Sequence, residues 1–208
     1  MRRLHVHSGV KDTTTRERGL EETEMQEMRV LVTYATVHGS TAEIARAIAL
    51  TLGRTGIEVD VLSASEVQDV RPYDAVVVGS AIYGGKWRKE ALDLLDRFGL
   101  DLYSRDVWLF QSGPLGHSAQ AIVRALPVNV SVFADYLRVK GAATFGGKLD
   151  GLSGGPVGRF LARAGFAGDY RNFAGIRLLS KEVARLTAIR VVTGRGDNPR
   201  LVGAGGRR

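Results

Sequence analysis

The stretch that most constrains the fold runs from Val30 to Leu52. Val30 to Tyr34 is a short apolar run with no polar face, the mark of a strand covered on both sides. It passes through the small polar loop Thr36-Val37-His38-Gly39-Ser40-Thr41 into an amphipathic segment, where Ile44, Ala45, Ile48, Ala49 and Leu52 recur at the helical period until Gly56 ends the element. Ser40 followed by Glu43 has the spacing of a capping box, which predicts a helix over Thr41–Arg54.

The same alternation repeats along the chain. Strands are predicted at Val30–Tyr34, Ile57–Leu62, Ala75–Gly79, Val107–Gln111 and Val139–Phe145, and the central ones again lack a polar side. Helices are predicted at Thr41–Arg54, Trp87–Phe98 and Phe173–Leu186, with weaker patterns at Ala64–Val70, Ala119–Leu126 and Val157–Ala164. Five strands alternating with helices through right-handed crossovers predict an α/β fold with an open, five-stranded parallel sheet and helices on both faces. For the strand order 2-1-3-4-5, a ligand sits beyond the carboxyl ends of the strands, between the first and third. The loops after Tyr34, Gly79 and Gln111 are therefore expected to converge on one crevice.

The first of these loops has the chemistry of an anion cradle. Thr36, Ser40 and Thr41 offer hydroxyl donors, Gly39 lets the backbone bend, and the amide ends of the following helix add donors and the positive end of its dipole. It contains neither the three glycines of the dinucleotide fingerprint nor the Gly-Lys-Ser/Thr of a P-loop. Neutral donors with no lysine and no magnesium ligand suit a phosphate monoester. The bland alternative is a strand-to-helix turn whose Ser and Thr act only as caps.

In the second loop, Ser80-Ala81-Ile82-Tyr83-Gly84-Gly85-Lys86-Trp87, an aromatic stands beside paired glycines. Such a loop can lay a ring against a flat heterocycle while glycine backbone donates to its edge. Tyr83 and Trp87 can equally be packing residues of the next helix. The third loop, Ser112-Gly113-Pro114-Leu115-Gly116-His117, is ordinary turn chemistry by itself. Together the three describe a pocket for a flat ring with a phosphate tail, and flavin mononucleotide (FMN) fits that description best.

Composition removes several other classes. The 208 residues, 44% of them apolar, suffice for one full core with tails, and no apolar run approaches a membrane span. With no cysteine there is no disulfide, thiol nucleophile or cysteine-held metal. The formal charge of +7 is spread without an aromatic-interleaved basic stripe, which argues against a nucleic-acid partner. Residues 1–27 carry mixed charge without periodicity and residues 191–208 are rich in Gly and Arg, so both are expected to be disordered around a domain at 28–190. No secretory apolar segment stands at the N-terminus, which gives a cytoplasmic reading.

Thr36 to Thr41 resembles the phosphate loop of flavodoxins, and Ser80–Gly85 and Ser112–Gly116 resemble their two flavin-edge loops, over about Arg29 to Leu186. More narrowly, Gly79-Ser-Ala-Ile-Tyr-Gly84 and Gly168-Asp-Tyr-Arg-Asn-Phe173 are similar to flavodoxin-domain proteins of the menaquinone-dependent protoporphyrinogen oxidase type. The resemblance implies a flavodoxin-like fold and non-covalent FMN held by Thr36, Val37, His38, Gly39, Ser40, Thr41, Ser80, Ala81, Ile82, Tyr83, Gly84, Ser112, Gly113, Pro114 and Gly116. It also implies oxidation of protoporphyrinogen IX with electrons passed to a quinone, in haem biosynthesis.

Two features depart from that pattern. His38 replaces the hydroxyl residue usual before the loop glycine, and the domain is net basic where flavodoxins are usually acidic. A basic domain favours an anionic substrate or contact with the inner face of a membrane over a simple carrier docking on basic partners. Gly146–Asp169, with Lys148, Arg159 and Arg163 among apolar residues, is the segment expected to make such contact, or else to pack on the sheet edge. His38 and His117 form no set with a carboxylate, so no catalytic residue and no metal site is predicted. A flavodoxin-type one-electron carrier and a binding module that has lost its cofactor are the alternative readings.

Overall fold

The computed structural model describes residues 28–113, 126–146, 148–149, 168–169 and 173–192. Residues 1–27 and 193–208, the helices expected at Ala119–Leu126 (but for its last residue) and Val157–Ala164, and most of the basic segment after Gly146 lie outside them.

In chain order the elements are β1 (Arg29–Ala35), α1 (Ser40–Gly53), β2 (Glu58–Ser63), β3 (Ala75–Tyr83), β4 (Lys86–Trp87), α2 (Lys89–Arg97), α3 (Gly99–Tyr103), β5 (Asp106–Gly113), α4 (Val128–Tyr136), β6 (Gly141–Gly146), β7 (Lys148–Leu149), β8 (Gly168–Asp169) and α5 (Phe173–Val192). The main sheet has the order β2-β1-β3-β5-β6 with every neighbouring pair parallel. Counting its five long strands alone, this is the expected 2-1-3-4-5 arrangement, and the fold is flavodoxin-like α/β. The strand β4 is extra, pairing antiparallel with the end of β3, and β7 and β8 form a separate two-stranded pair.

Strand alternation divides the apolar side chains between two cores. Val30, Val32, Val77 and Phe110 face α1 and α5, where they meet Ile44, Ile48, Leu52, Ile176 and Val183. Leu31, Val76, Val78 and Leu109 face the other way, against Leu94, Leu95, Leu102 and Val130 of α2, α3 and α4. All but Ile176 are fully buried, and each such side chain contributes roughly 1.5–3 kcal/mol. Where the sheet passes under Phe110, only glycine fits: a Cβ on Gly79 would lie 2.0 Å from the ring. At the opposite end of the sheet, Arg190 of α5 reaches the buried Asp106 at the start of β5 (2.9 Å).

Several elements differ from expectation. Ala64–Val70 is a single turn followed by irregular chain and not a helix. Ala64, Val67 and Val70 are buried at a spacing of three, which imitates a helical stripe, but the Glu66 carboxylate accepts from both the amide and the hydroxyl of Ser63 and fixes a turn instead. Helix α2 begins at Lys89, so Trp87 belongs to β4 and not to a helix. Helix α1 begins at Ser40 with Gly39 at its N-cap, one residue before the Ser40 cap expected, so the N-cap has no side chain to form a capping box. The helices α3 and α4 have no counterpart in the sequence pattern, and α5 runs six residues past Leu186.

Candidate functional site

The carboxyl ends of β1, β3 and β5 lie side by side, with Ala35 opposite Ser80 and Ala81 opposite Ser112. Three features of the sequence meet there.

The first is the loop between β1 and α1. Gly39 has φ +84°, the left-handed region that favours glycine, and nothing lies within 4 Å of where its Cβ would be, so the backbone borders open space. The Gly39 amide donates to the Thr36 hydroxyl oxygen (3.1 Å) and closes the loop on itself. Because Thr36 accepts in that bond, its own proton stays available to an outside acceptor. The first helical hydrogen bond runs from the Glu43 amide to the Gly39 carbonyl (3.0 Å), so the amides before it project from the positive end of a 14-residue helix. Val37 and His38 are exposed.

Thr41 lies in the first turn of α1. Its side chain is fully buried, and its hydroxyl shares a 2.8 Å hydrogen bond with that of Ser112 at the end of β5. That bond uses one of the two hydroxyl protons and leaves the other. Thr41 therefore first ties the first loop to the third, and offers at most one donor jointly with Ser112. Gly113 follows on the strand, with Ile82 3.6 Å from where its Cβ would be. Pro114 and Gly116 lie outside the described residues.

The second loop is largely not a loop. Ser80, Ala81, Ile82 and Tyr83 continue β3, and the chain reverses at Gly84 and Gly85, whose φ values of +55° and +74° make the primed turn that a two-residue hairpin requires. Ile82 pairs with Trp87 and Tyr83 with Lys86. Several polar groups at the base of this hairpin are matched within the protein. The Ser80 hydroxyl donates to the Ala81 carbonyl and accepts from the Arg88 amide, both at 2.9 Å. The Trp87 indole N–H donates to Gln111 Oε1 (3.0 Å), and Gln111 Nε2 donates to the Thr144 hydroxyl (2.9 Å). Asn129 of α4 bonds both the amide and the carbonyl of Trp87 at 3.3 Å. The side chains of Ser80, Ala81 and Trp87 are thus buried.

Tyr83 is the part of the hairpin that faces outward, 44% exposed. Its ring stands edge-on to His38 across the crevice at 6.1 Å and lies 6.0 Å from the Arg88 guanidinium. Partial burial pushes its phenol above the usual range, with Arg88 opposing, so Tyr83 is neutral near pH 7. Arg88 is itself paired with Glu90 at 2.7 Å. Two contacts, Thr41 with Ser112 and His38 with Tyr83, therefore bring all three sequence features to one crevice. The Trp87–Gln111–Thr144 relay carries no signal in the sequence, since three polar groups on three separate strands come together only through the sheet order.

Comparison with known proteins agrees with this fold. Residues 31–157 match the family model described as Flavodoxin domain. A flavodoxin from the domain Archaea superposes with a TM-score of 0.55 at 14% identity, covering 77% of this chain and 99% of that one. Rubredoxin oxygen:oxidoreductase from Desulfovibrio gigas gives 0.55 at 15% identity over 80% of this chain and 38% of its own. A flavodiiron core from Synechocystis gives 0.52 at 16% identity, over 84% of this chain and 40% of its own. At such identities the structures share the fold. Comparison with curated proteins returns no match.

Proposed function

Because the chain belongs to the flavodoxin-domain family, we propose that it holds FMN non-covalently at the β1–β3–β5 crevice and works as a flavin-dependent oxidoreductase. The observation that carries this reading is the Thr36–Thr41 loop: a left-handed glycine bordering open space, flanked by hydroxyls, at the amide end of α1. Thr36, Ser40 and the α1 amides would hold the phosphate, with the Thr41–Ser112 pair fixing the loop against β5. No lysine or arginine stands in that loop, so its hydroxyl and amide donors are neutral and the helix dipole supplies the favourable field. Tyr83 would flank the ring system, its edge contact with His38 marking where a planar group can enter.

When bound, FMN accepts and returns electrons itself. The chain's own residues bind, orient and shield. Hairpin β3–β4 is stiffened by Ser80, Trp87 and Asn129 and so holds Tyr83 in place. The partly buried Tyr83 phenol, held neutral, adds no charge beside the ring.

For the substrate we propose a porphyrinogen, protoporphyrinogen IX, oxidised with a quinone as acceptor. The support is the resemblance at Gly79–Gly84 and Gly168–Phe173 and the net basic charge, which suits a propionate-bearing donor. A carrier role is favoured by a different observation: Tyr83 is exposed at the mouth, where a docked redox protein would reach it. Contact with the inner face of a membrane remains a proposal attached to the quinone. Among the described residues, no helix is long and apolar enough to cross a membrane.

The test is to load the purified protein with FMN, desalt it and record its spectrum, then supply protoporphyrinogen with and without a quinone. Retained flavin and quinone-dependent formation of porphyrin support the oxidase. Retained flavin that reduces in two separate one-electron stages, with no porphyrin formed under any acceptor, selects the carrier. A colourless protein after desalting removes both.

A further inference from the structure

The two faces of the β3–β4 hairpin have different surroundings. Tyr83 pairs with Lys86 and Ile82 with Trp87, and alternation along extended chain puts Lys86 and Arg88 on the face of Tyr83 and Trp87 on the other. The Trp87 side chain is buried. On the other face Tyr83 and Lys86 are exposed, and the Arg88 side chain is 33% exposed. An aromatic ring with two cations beside it thus stands at the mouth of the crevice, and the His38 imidazole meets the ring at 6.1 Å.

We infer that Arg88, with Lys86, takes a carboxylate of a small electron donor and so determines which donors the crevice accepts. The ion pair that Arg88 makes is incomplete. Its Nη2 donates to Glu90 Oε1 at 2.7 Å, but its Nε is buried with no hydrogen-bond partner. A guanidinium presents its donors as a fixed fork, and a carboxylate that engages Nε and Nη2 together satisfies both. Glu90 engages it at one point. A buried donor left unpaired is costly, so the guanidinium is weakly held at Glu90 and gains by swinging to a carboxylate that takes both donors. The backbone from which it swings is fixed, since the Arg88 amide donates to the Ser80 hydroxyl at 2.9 Å.

The neighbouring charges favour an anion. Lys89, next on the chain, is bound by Asp93 at 2.6 Å, whereas Lys86 forms no ion pair among the described residues. Hydrogen bonding from Arg88 holds the Glu90 carboxyl below the usual range, so Glu90 is ionised near pH 7 and competes with an incoming carboxylate for Arg88. The occupant is a small molecule and not an acidic protein surface. Nε is recessed at the root of the guanidinium, where a free carboxylate can follow it, and Glu90, 42% exposed beside it, would repel an acidic surface.

Arg88 can select an electron donor only if the crevice is the redox site, so the proposal rests on that reading. Flavin retention after desalting tests the reading by itself. Carboxylate binding is followed in the FMN-loaded chain, or in the flavin-free chain should no flavin be retained, so the two can fail separately.

The test is quenching of protein fluorescence by deuteroporphyrin IX, which carries two propionates, and by its dimethyl ester, in the same mild detergent. Wild type is expected to bind the diacid at least about tenfold more tightly than the ester. Arg88→Gln should remove most of that preference and Lys86→Gln about threefold of it, while Glu90→Gln, which frees the guanidinium, should tighten the diacid by about threefold. Lys181→Gln, at an exposed cation on α5, should change nothing. Arg88→Gln and Glu90→Gln break the same ion pair, so a purely structural role would move both in one direction. No binding of the diacid, equal affinities for diacid and ester in wild type, a preference that survives Arg88→Gln, or weaker binding in Glu90→Gln overturns the inference. An effect of Lys181→Gln as large as that of Arg88→Gln would reduce it to the net charge of the chain and also overturn it.

Discussion

The loop after β1 and the hairpin after β3 stand on neighbouring strands, and both read in the sequence as glycine-bearing ligand loops, yet they use their polar groups in opposite ways. In the hairpin, the Ser80 hydroxyl, the Trp87 indole and the Trp87 backbone are all matched by other parts of the protein. In the loop, Gly39 borders open space, Thr36 keeps its proton, and the N-cap of α1 is Gly39, which has no side chain. One wall of the crevice is finished and rigid. The other presents the Thr36 hydroxyl and the amide end of α1, and that is where we propose an anion is held.

The contrast makes a graded set of expectations. Substitutions under the hairpin should cost stability, and those in the loop should cost FMN affinity. The largest loss is expected from Gly79→Ala at the root of the hairpin. A Cβ 2.0 Å from the Phe110 ring forces a central strand or a fully buried ring to move, which costs about 3 kcal/mol. Thermal unfolding should show a Tm lower by roughly 6–12 °C; an unchanged Tm would mean that the strand has slack not visible in its packing.

Trp87→Phe comes next. It strands the buried Gln111 carbonyl oxygen and should lower the urea midpoint by the equivalent of about 1–3 kcal/mol without changing the m-value. Thr41→Val separates the two roles of that residue. Loss of the bond to Ser112 should cost about 1–2 kcal/mol in the flavin-free protein, and FMN affinity should fall as well because the loop is no longer pinned to β5. Denaturation without flavin and a flavin titration together check it, and a change in affinity alone would restore Thr41 to a direct phosphate donor. The smallest stability effect belongs to Gly39→Ala, about 1 kcal/mol for an L-residue held at φ +84°. Its FMN affinity should nonetheless drop more than that of Trp87→Phe, and the reverse order would break the comparison between the two walls.

What the sequence made legible follows the reach of the interactions concerned. The first strand, its loop and α1 were readable because burial on both sides and a 3.6-residue stripe are written locally, from Val30 to Leu52. The parallel sheet followed from alternation and handedness, and its strand order from the resemblance to flavodoxins. Ser80–Tyr83 read as loop because Gly79 and Ser80 interrupt an apolar run, whereas Gly79 is required there by a ring from β5 and the strand continues through it. Trp87 began an apolar stripe and so read as helical, but Gln111 and Asn129, 24 and 42 residues away, fix it on β4. Helix α4, rich in β-branched and aromatic residues, has a composition suited to strands and is helical through its packing against the sheet. Local chemistry was legible, and what depended on distant partners was not.

The central claim is that the open wall of the crevice holds a phosphate. The most direct measurement is to titrate the flavin-free protein with FMN and with riboflavin, which differ only in that group, and to follow flavin fluorescence. Several charge-assisted hydrogen bonds to the phosphate predict FMN affinity at least about a hundredfold above that of riboflavin. Equal affinities, or no binding of either, would contradict the account.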